Sequence, residues 1–195
     1  MRRSRSRRTC SVGGRNWQHS VDRLAFCGFK IVGENRESAP PNQLYFEDLT
    51  VGRRFQSGEH TVTAEAIVAF ARQFDPQPFH LDAEAAKNSI FAGLAASGWH
   101  TAAITMKLIV GDEAPIAGGV IGAGVELNWP RPTRPGDVLR VESEVVEVKT
   151  LRSRSDRGMV RLRARTMNQN GEVVQEMLSW LVAPCRAPLP AQFSK

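Results

Sequence analysis

The chain is poor in the residues that mark a covalent frame or a bound prosthetic group. Its 195 residues include three cysteines, Cys10, Cys27 and Cys185, which lie near the two ends with no CxxC spacing. That usage excludes a disulfide scaffold and reads as reduced thiols. The four histidines, His19, His60, His80 and His100, form no HExxH or similar ligand pattern, and no glycine-rich phosphate loop is present. No metal and no nucleotide cofactor is therefore implied. Long apolar runs are missing too. The stretch from Leu24 to Val32 is interrupted by Lys30, falls far short of the roughly 20 residues that cross a bilayer, and makes a poor secretory core. The expectation is a cytoplasmic protein with no membrane partner.

Surplus charge is missing from most of the chain. The net charge of +6 resembles a nucleic-acid signal until it is located. Residues 1–40 hold nine Lys and Arg against three Asp and Glu, whereas residues 41–195 hold seventeen of each. The basic character belongs to the N-terminal segment alone, and the remainder gives no reason to expect a nucleic-acid partner. The opening run Met1-Arg2-Arg3-Ser4-Arg5-Ser6-Arg7-Arg8 is too polar and too like-charged to bury anything. Residues 1–43 thus read as a disordered basic extension; a solvated tail, a start placed too far upstream, a targeting peptide and a phosphate-binding arm are the competing explanations. Pro40-Pro41 marks the boundary, residues 44–187 form one domain, and 188–195 form a tail. At 42% apolar residues, the composition suits a single core of ordinary size.

Within the domain, Thr63 is an N-cap for a helix whose apolar residues Ile67, Phe70, Ala71 and Phe74 recur at helical steps, ending at Asp75-Pro76. Asp82 caps a short helix over Ala83 to Asn88. Ser97 caps a third, from Trp99 to Val110, so apolar on every face that it is expected to be buried nearly all round. Alternation in Leu139, Val141, Ser143 and Val145, and again in Val160, Leu162, Ala164 and Thr166, predicts half-buried antiparallel strands. Further strands are expected over 120–129 and 173–182, with turns at Pro135-Gly136-Asp137, Ser155 to Gly158 and Asn170-Gly171. Helices followed by a meander give an α+β domain: a curved antiparallel sheet around one apolar helix.

The chemistry concentrates in Phe74-Asp75-Pro76-Gln77-Pro78-Phe79-His80. Alternate prolines stiffen the connection, so Asp75 and His80 can be fixed near one another as an acid and a base. The same spacing is also that of a proline-rich loop with a capping Asp and a surface His. At Ala96-Ser97-Gly98, the amide of Gly98 opens a helix and lacks an internal partner, which suits it to stabilise a carbonyl oxygen that gains negative charge. A tight helix start against a packed neighbour is the alternative. A carboxylate, an imidazole and an oxyanion donor within 24 residues suit the addition of water across a double bond conjugated to a thioester.

The same residues resemble a known motif. Asp75-Pro76-Gln77-Pro78-Phe79-His80 with Ala85, the helix start Ser97-Gly98, and Arg131-Pro132-Thr133-Arg134-Pro135-Gly136-Asp137 are similar to the hydratase motif, helix start and Pro-Gly-Asp turn of the MaoC-like dehydratases, the (R)-specific enoyl-CoA hydratases of the hot dog fold. The similarity spans roughly residues 44–184. It implies a central helix inside a curved sheet, and a homodimer or larger assembly with acyl pockets near the subunit interface. The implied reaction is hydration of trans-2-enoyl thioesters, or the reverse, with coenzyme A or acyl carrier protein as part of the substrate and no separate cofactor.

By that resemblance Asp75 and His80 activate water and return a proton, and Gly98 polarises the carbonyl. Ser97, Gln77, Phe79 and Trp99 are expected to line the substrate site. Phe74 stands where many relatives have Gly, and Gln77 where many have Asn, a change expected to alter the bonds orienting His80. Alternatives are a hot dog thioesterase or a non-catalytic thioester-binding subunit. Trp99, Trp129 and Trp180 are otherwise read as packing residues, His100 as a satisfied core histidine, and Arg152, Arg154 and Arg157 as either a solvated rim or a phosphate contact.

Overall fold

The computed structural model describes residues 43–189 apart from 114, 152 and 153. The basic extension, Cys10, Cys27, His19 and the last six residues lie outside the described residues, as does Arg152. The domain opens with a short 3-10 turn at Phe46–Asp48, then strands β1 (Arg54–Gln56) and β2 (His60–Thr61). Helices α1 (Ala64–Phe74), α2 (Pro78–Leu81), α3 (Ala83–Lys87) and α4 (Gly98–Leu108) follow, the last running into a π-helical turn at Ile109–Glu113. The rest is β3 (Ile121–Asn128), which crosses over to pair with β6, and then the meander of β4 (Val138–Leu151), β5 (Arg154–Met167) and β6 (Val173–Pro184).

The caps act as the side chains dictate. The Thr63 hydroxyl accepts from Ala66 N at 3.1 Å, and Asp82 Oδ1 accepts from Glu84 N and Ala85 N at 2.7 and 3.1 Å. Ser97 Oγ accepts from Trp99 N at 3.2 Å. Each satisfies a first-turn donor that has no partner inside its own helix. The connection after Asp75 is turned, as two prolines require, but it also contains α2, begun by Pro78 at a position where a missing N–H costs nothing.

The sheet runs β1-β4-β5-β6-β3, its strand pairings are all antiparallel, and β2 pairs separately with β4. Leu139, Val141, Val145, Val160, Leu162 and Ala164 all face inward and are buried, as the alternation predicts. Leu139, Val141 and Ala164 pack with Ile67 of α1 and Ile104 and Leu108 of α4, whereas Val145, Val160 and Leu162 join a second cluster with Leu49, Ile116 and Leu181. Each such Leu, Ile or Val contributes on the order of 1.5–3 kcal/mol by leaving water. At Pro135-Gly136 the Asp137 amide donates to Arg134 O and Gly136 takes φ +86°, the type II turn that this pair demands.

Two expectations fail. Ser155 to Gly158 is not a turn: β5 already runs through it, and Leu151 pairs with Arg154. Gly158 is needed for another reason, since a Cβ there would collide with the Phe46 ring. Nor is α4 buried all round. Its inward face carries His100, Thr101, Ile104, Thr105 and Leu108, while Trp99 and Met106, with Val110 just beyond, stay exposed. The edge strand β3 leaves Ile121 and Val125 exposed as well. One sheet covers only one side of a helix, so the outer stripe finds no cover among the described residues.

Among the described residues no helix is long and apolar enough to cross a membrane, and no group of three or more His, Cys, Asp or Glu is placed to hold a metal ion.

Candidate active site

Asp75 is the first residue beyond α1, where Pro76 cannot continue the helix; its own amide caps Ala71 O at 3.0 Å. Its side chain turns towards the N-terminus of α4. There Oδ2 accepts from Ser97 Oγ at 2.6 Å, and Oδ1 accepts from Gln77 Nε2 at 2.7 Å. The Ser97 hydroxyl, then the Gln77 amide and the nearby His80, hold the Asp75 carboxyl below the usual carboxylate range, overcoming the opposite effect of burial. Gln77 therefore orients Asp75 rather than His80, because the turn through Pro76 brings the longer amide back over the carboxylate.

His80 is not a surface histidine. It is 4% exposed, and its Nδ1 lies 2.7 Å from Ala95 O. A carbonyl can only accept, so Nδ1 carries a proton and, in the neutral ring, Nε2 presents the lone pair. Nε2 lies 3.5 Å from Asp75 Oδ2. The sequence brought the two groups within five positions; the fold brings their reactive atoms within one water's reach. An ionised carboxylate and a neutral imidazole nitrogen are both acceptors, and a water placed between them can donate one O–H to each.

Phe79 packs edge-on against His80, with centroids 4.5 Å apart, and Phe91 closes over both rings at 5.1 Å from Phe79 and 6.0 Å from His80. Gly98 follows Ser97 directly, and a Cβ on it would lie 2.7 Å from Trp129 Cε2. The close approach of the indole is thus a sufficient packing reason for glycine, while its amide still heads the helix beside the Asp75 and Ser97 pair. Trp129 is fixed by an Nε1–H bond to Gln175 Oε1 at 2.8 Å and meets Trp99 edge-on at 5.7 Å. Trp99 is exposed and forms, with Trp129, an aromatic pair at the N-terminus of α4.

The chain belongs to the MaoC-like domain family. The family model for that domain matches residues 48–167. The fold is that of the MaoC-like dehydratase from Rhodospirillum rubrum, 58% identical over 74% of this chain and 99% of that one, with a TM-score of 0.72. The R-hydratase PhaJ1 from Pseudomonas aeruginosa is 29% identical, with 76% of this chain and 94% of that one covered and a TM-score of 0.60. A 3-hydroxybutyryl-CoA dehydratase from Methylorubrum extorquens is 33% identical over 113 residues, 57% of this chain and 70% of that one. This MaoC-like chain has the hot dog fold, with α4 as the helix that the sheet curves around.

Other sequence candidates fall elsewhere. Arg154 and Arg157 both pair with Asp156, at 3.5 and 2.7 Å, on the rim of β5. Trp180 lies between Lys149 and Arg161 on the outer face of the sheet. His100 is buried and stacks on Phe70 at 4.7 Å, but its Nδ1 has no hydrogen-bond partner among the described residues, so it is not the satisfied core histidine expected. Burial first, and then the neighbouring His60, push its pKa down, which keeps it neutral. A cleft of about 310 Å³ near Arg131, Asp137, Asn168 and Glu172 is separate from the Asp75 and His80 pair.

Sequence reasoning missed Arg134. Its guanidinium donates to Gly93 O at 2.8 Å, Leu94 O at 3.2 Å and Phe91 O, tying down the loop before Ala95. Nothing in Thr133-Arg134-Pro135 announces partners some 40 positions away.

Proposed function

We propose that the chain catalyses the addition of water to trans-2-enoyl thioesters, or the reverse elimination from 3-hydroxyacyl thioesters. The observation that carries this reading is the convergence of Asp75 Oδ2, His80 Nε2 and Ser97 Oγ at the head of α4, beside the amide of Gly98. In the hydration direction, water held between Asp75 and His80 adds its oxygen to the β-carbon. The proton it sheds passes to the pair, a proton from the pair reaches the α-carbon, and the pair ends in the charge state it began with. The electron pair displaced from the double bond passes transiently towards the thioester oxygen, where the Gly98 amide and the positive end of the α4 dipole stabilise it.

Support comes from relatives whose names state dehydratase or R-hydratase activity. Coenzyme A enters as part of the substrate; the donor set needs no separate cofactor. Ser97 and Gln77 act by orienting Asp75, whereas Phe79 and Trp99 offer apolar surface to the acyl group. The exposed Trp99 and Met106 of α4 and Val110 just beyond it, with the exposed Ile121 and Val125 of the edge strand, are the apolar residues through which a second copy would pair to give a homodimer.

The test is direct. Purified protein is mixed with crotonyl-CoA and longer enoyl-CoA esters while the conjugated absorbance is followed, and the configuration of the alcohol formed is determined. Loss of absorbance without free thiol supports hydration; release of thiol makes the chain a thioesterase. Neither change, with the substrate still bound, makes it a binding subunit.

A further inference from the structure

We propose that Arg134 is a positioning residue for His80, acting through the loop Phe91–Ala95. The proposed loss of turnover rests on the hydration reading, whereas the placement of the imidazole does not. His80 is held in its tautomer by a single acceptor, Ala95 O at 2.7 Å, so whatever fixes Ala95 fixes the ring. The loop before it is awkward to fix. Ala92 takes φ +50° and Gly93 φ +150°, two consecutive left-handed residues, the first of which bears a Cβ. Such a backbone persists only where its surroundings over-determine it.

Arg134 supplies that constraint from both sides of the strained pair, bonding Phe91 O before it and Gly93 O and Leu94 O after it. The same contact steadies a second route to the ring, since the side chain of Phe91 lies against both Phe79 and His80. Arg134 in turn is anchored. Its own amide donates to Asp137 Oδ2 at 2.7 Å, the neighbouring Gly136 N donates to Val62 O at 2.8 Å, and Thr133 O accepts from Ala96 N at 2.9 Å. The Pro-Gly-Asp turn is thus more than a reversal between strands: it carries a fork of donors that reaches across to the proton-transfer pair. Three carbonyls approached by two nitrogens of one planar group require a guanidinium, and an ammonium cannot reproduce that spread.

The experiment uses the full chain with Arg134→Met, Arg134→Lys, His80→Ala and the Arg134→Met/His80→Ala double variant. With crotonyl-CoA, both Arg134 variants are expected to lose about tenfold or more in kcat with KM held within about threefold. In the His80→Ala background, Arg134→Met is expected to cost less than about twofold, because the residue it positions is gone. In nitrogen-15 spectra the His80 Nδ1–H signal, assigned by its absence in His80→Ala, is expected to broaden or vanish in Arg134→Met. An equal loss in both backgrounds overturns the proposal in favour of a general structural role, as does an unaltered Nδ1–H signal. If the wild-type chain does not hydrate enoyl thioesters, the hydration reading fails, and the imidazole signal alone decides the role of Arg134. If Arg134→Met does not fold, Arg134→Lys carries the same measurements.

Discussion

Replacing Ser97 by Ala removes one hydroxyl with two tasks, and pH separates them. The hydroxyl donates to Asp75 Oδ2 at 2.6 Å and accepts from Trp99 N at 3.2 Å as the cap of α4. A bond to a charged acceptor contributes about 1.5–3 kcal/mol, and the partial exposure of Asp75 argues for the low end. Loss of the cap costs about 1 kcal/mol more. At about pH 7 the variant should therefore be less stable by roughly 2.5 kcal/mol, a fall of about 5–10 °C in Tm for a domain of this size. Ser97 is the largest of the causes that depress the folded-state pKa of Asp75. A depressed carboxyl contributes stability that is complete above the unfolded value of about 3.9 and is lost as pH falls through the folded value. The wild type loses that contribution on acidification and the variant has little of it to lose. The gap between them should accordingly shrink to about 1–1.5 kcal/mol once Asp75 is protonated, leaving the cap and a weaker neutral bond. Urea denaturation of both proteins from about pH 7 down to about pH 3 reads this directly. A gap that stays constant across that range would refute the assignment of Ser97 to an ionised Asp75.

Asp75→Asn should still fold, with a Tm lower by a few degrees because one amide oxygen replaces the two charged acceptors of Ser97 and Gln77, and should lower kcat for enoyl-CoA hydration by roughly 10²–10⁴-fold; His80→Ala should lose as much turnover, as steady-state kinetics will read. The pH profile of kcat/KM should be bell-shaped, with apparent values belonging to the pair, and a flat profile in the neutral range with chemistry rate-limiting would contradict coupled acid and base roles. Gly98→Ala drives a methyl to within 2.7 Å of Trp129 Cε2, so the indole must leave Gln175; a loss of about 1–3 kcal/mol and a shift in tryptophan emission should accompany it. Val125→Arg on the exposed edge strand should convert a dimer to a monomer in sedimentation or size exclusion, with no loss of secondary structure.

What could be read in the sequence is what local chemistry decides. Thr63, Asp82 and Ser97 announce their helices because a short oxygen-bearing side chain meets a donor two or three residues ahead. The strands at 139–145 and 160–166 show themselves by a period of two. Asp75 and His80 were legible because the prolines between them leave few paths, but the length of Gln77 pointed to His80 when its amide in fact reaches Asp75. The misplaced turn at Ser155 to Gly158 has a similar cause. Glycine there answers the approach of Phe46, more than a hundred positions earlier, and not a local reversal. Arg134 stayed hidden for the same reason, its three acceptors being backbone carbonyls that no side-chain pattern encodes. The outer face of α4 was taken as buried because hydrophobicity states that a surface wants cover and does not state which molecule supplies it.

The inward face of α4 is joined to the sheet and to its β3–β4 connection by more than apolar contact. Thr101 Oγ1 meets Thr133 Oγ1 at 2.9 Å, Thr105 Oγ1 meets Thr166 Oγ1 at 2.6 Å, and Gln175 Nε2 donates to Thr105 Oγ1 at 3.0 Å while its oxygen holds Trp129. Oily contacts tolerate a few degrees of roll; directional bonds do not. The helix is keyed into its seat like a shaft on a spline, with its angular setting and its axial position both indexed. Side chains on the opposite flank can then be exchanged, and the shape offered to an acyl tail or to a neighbour retuned, without the helix head turning away from the carboxylate it faces.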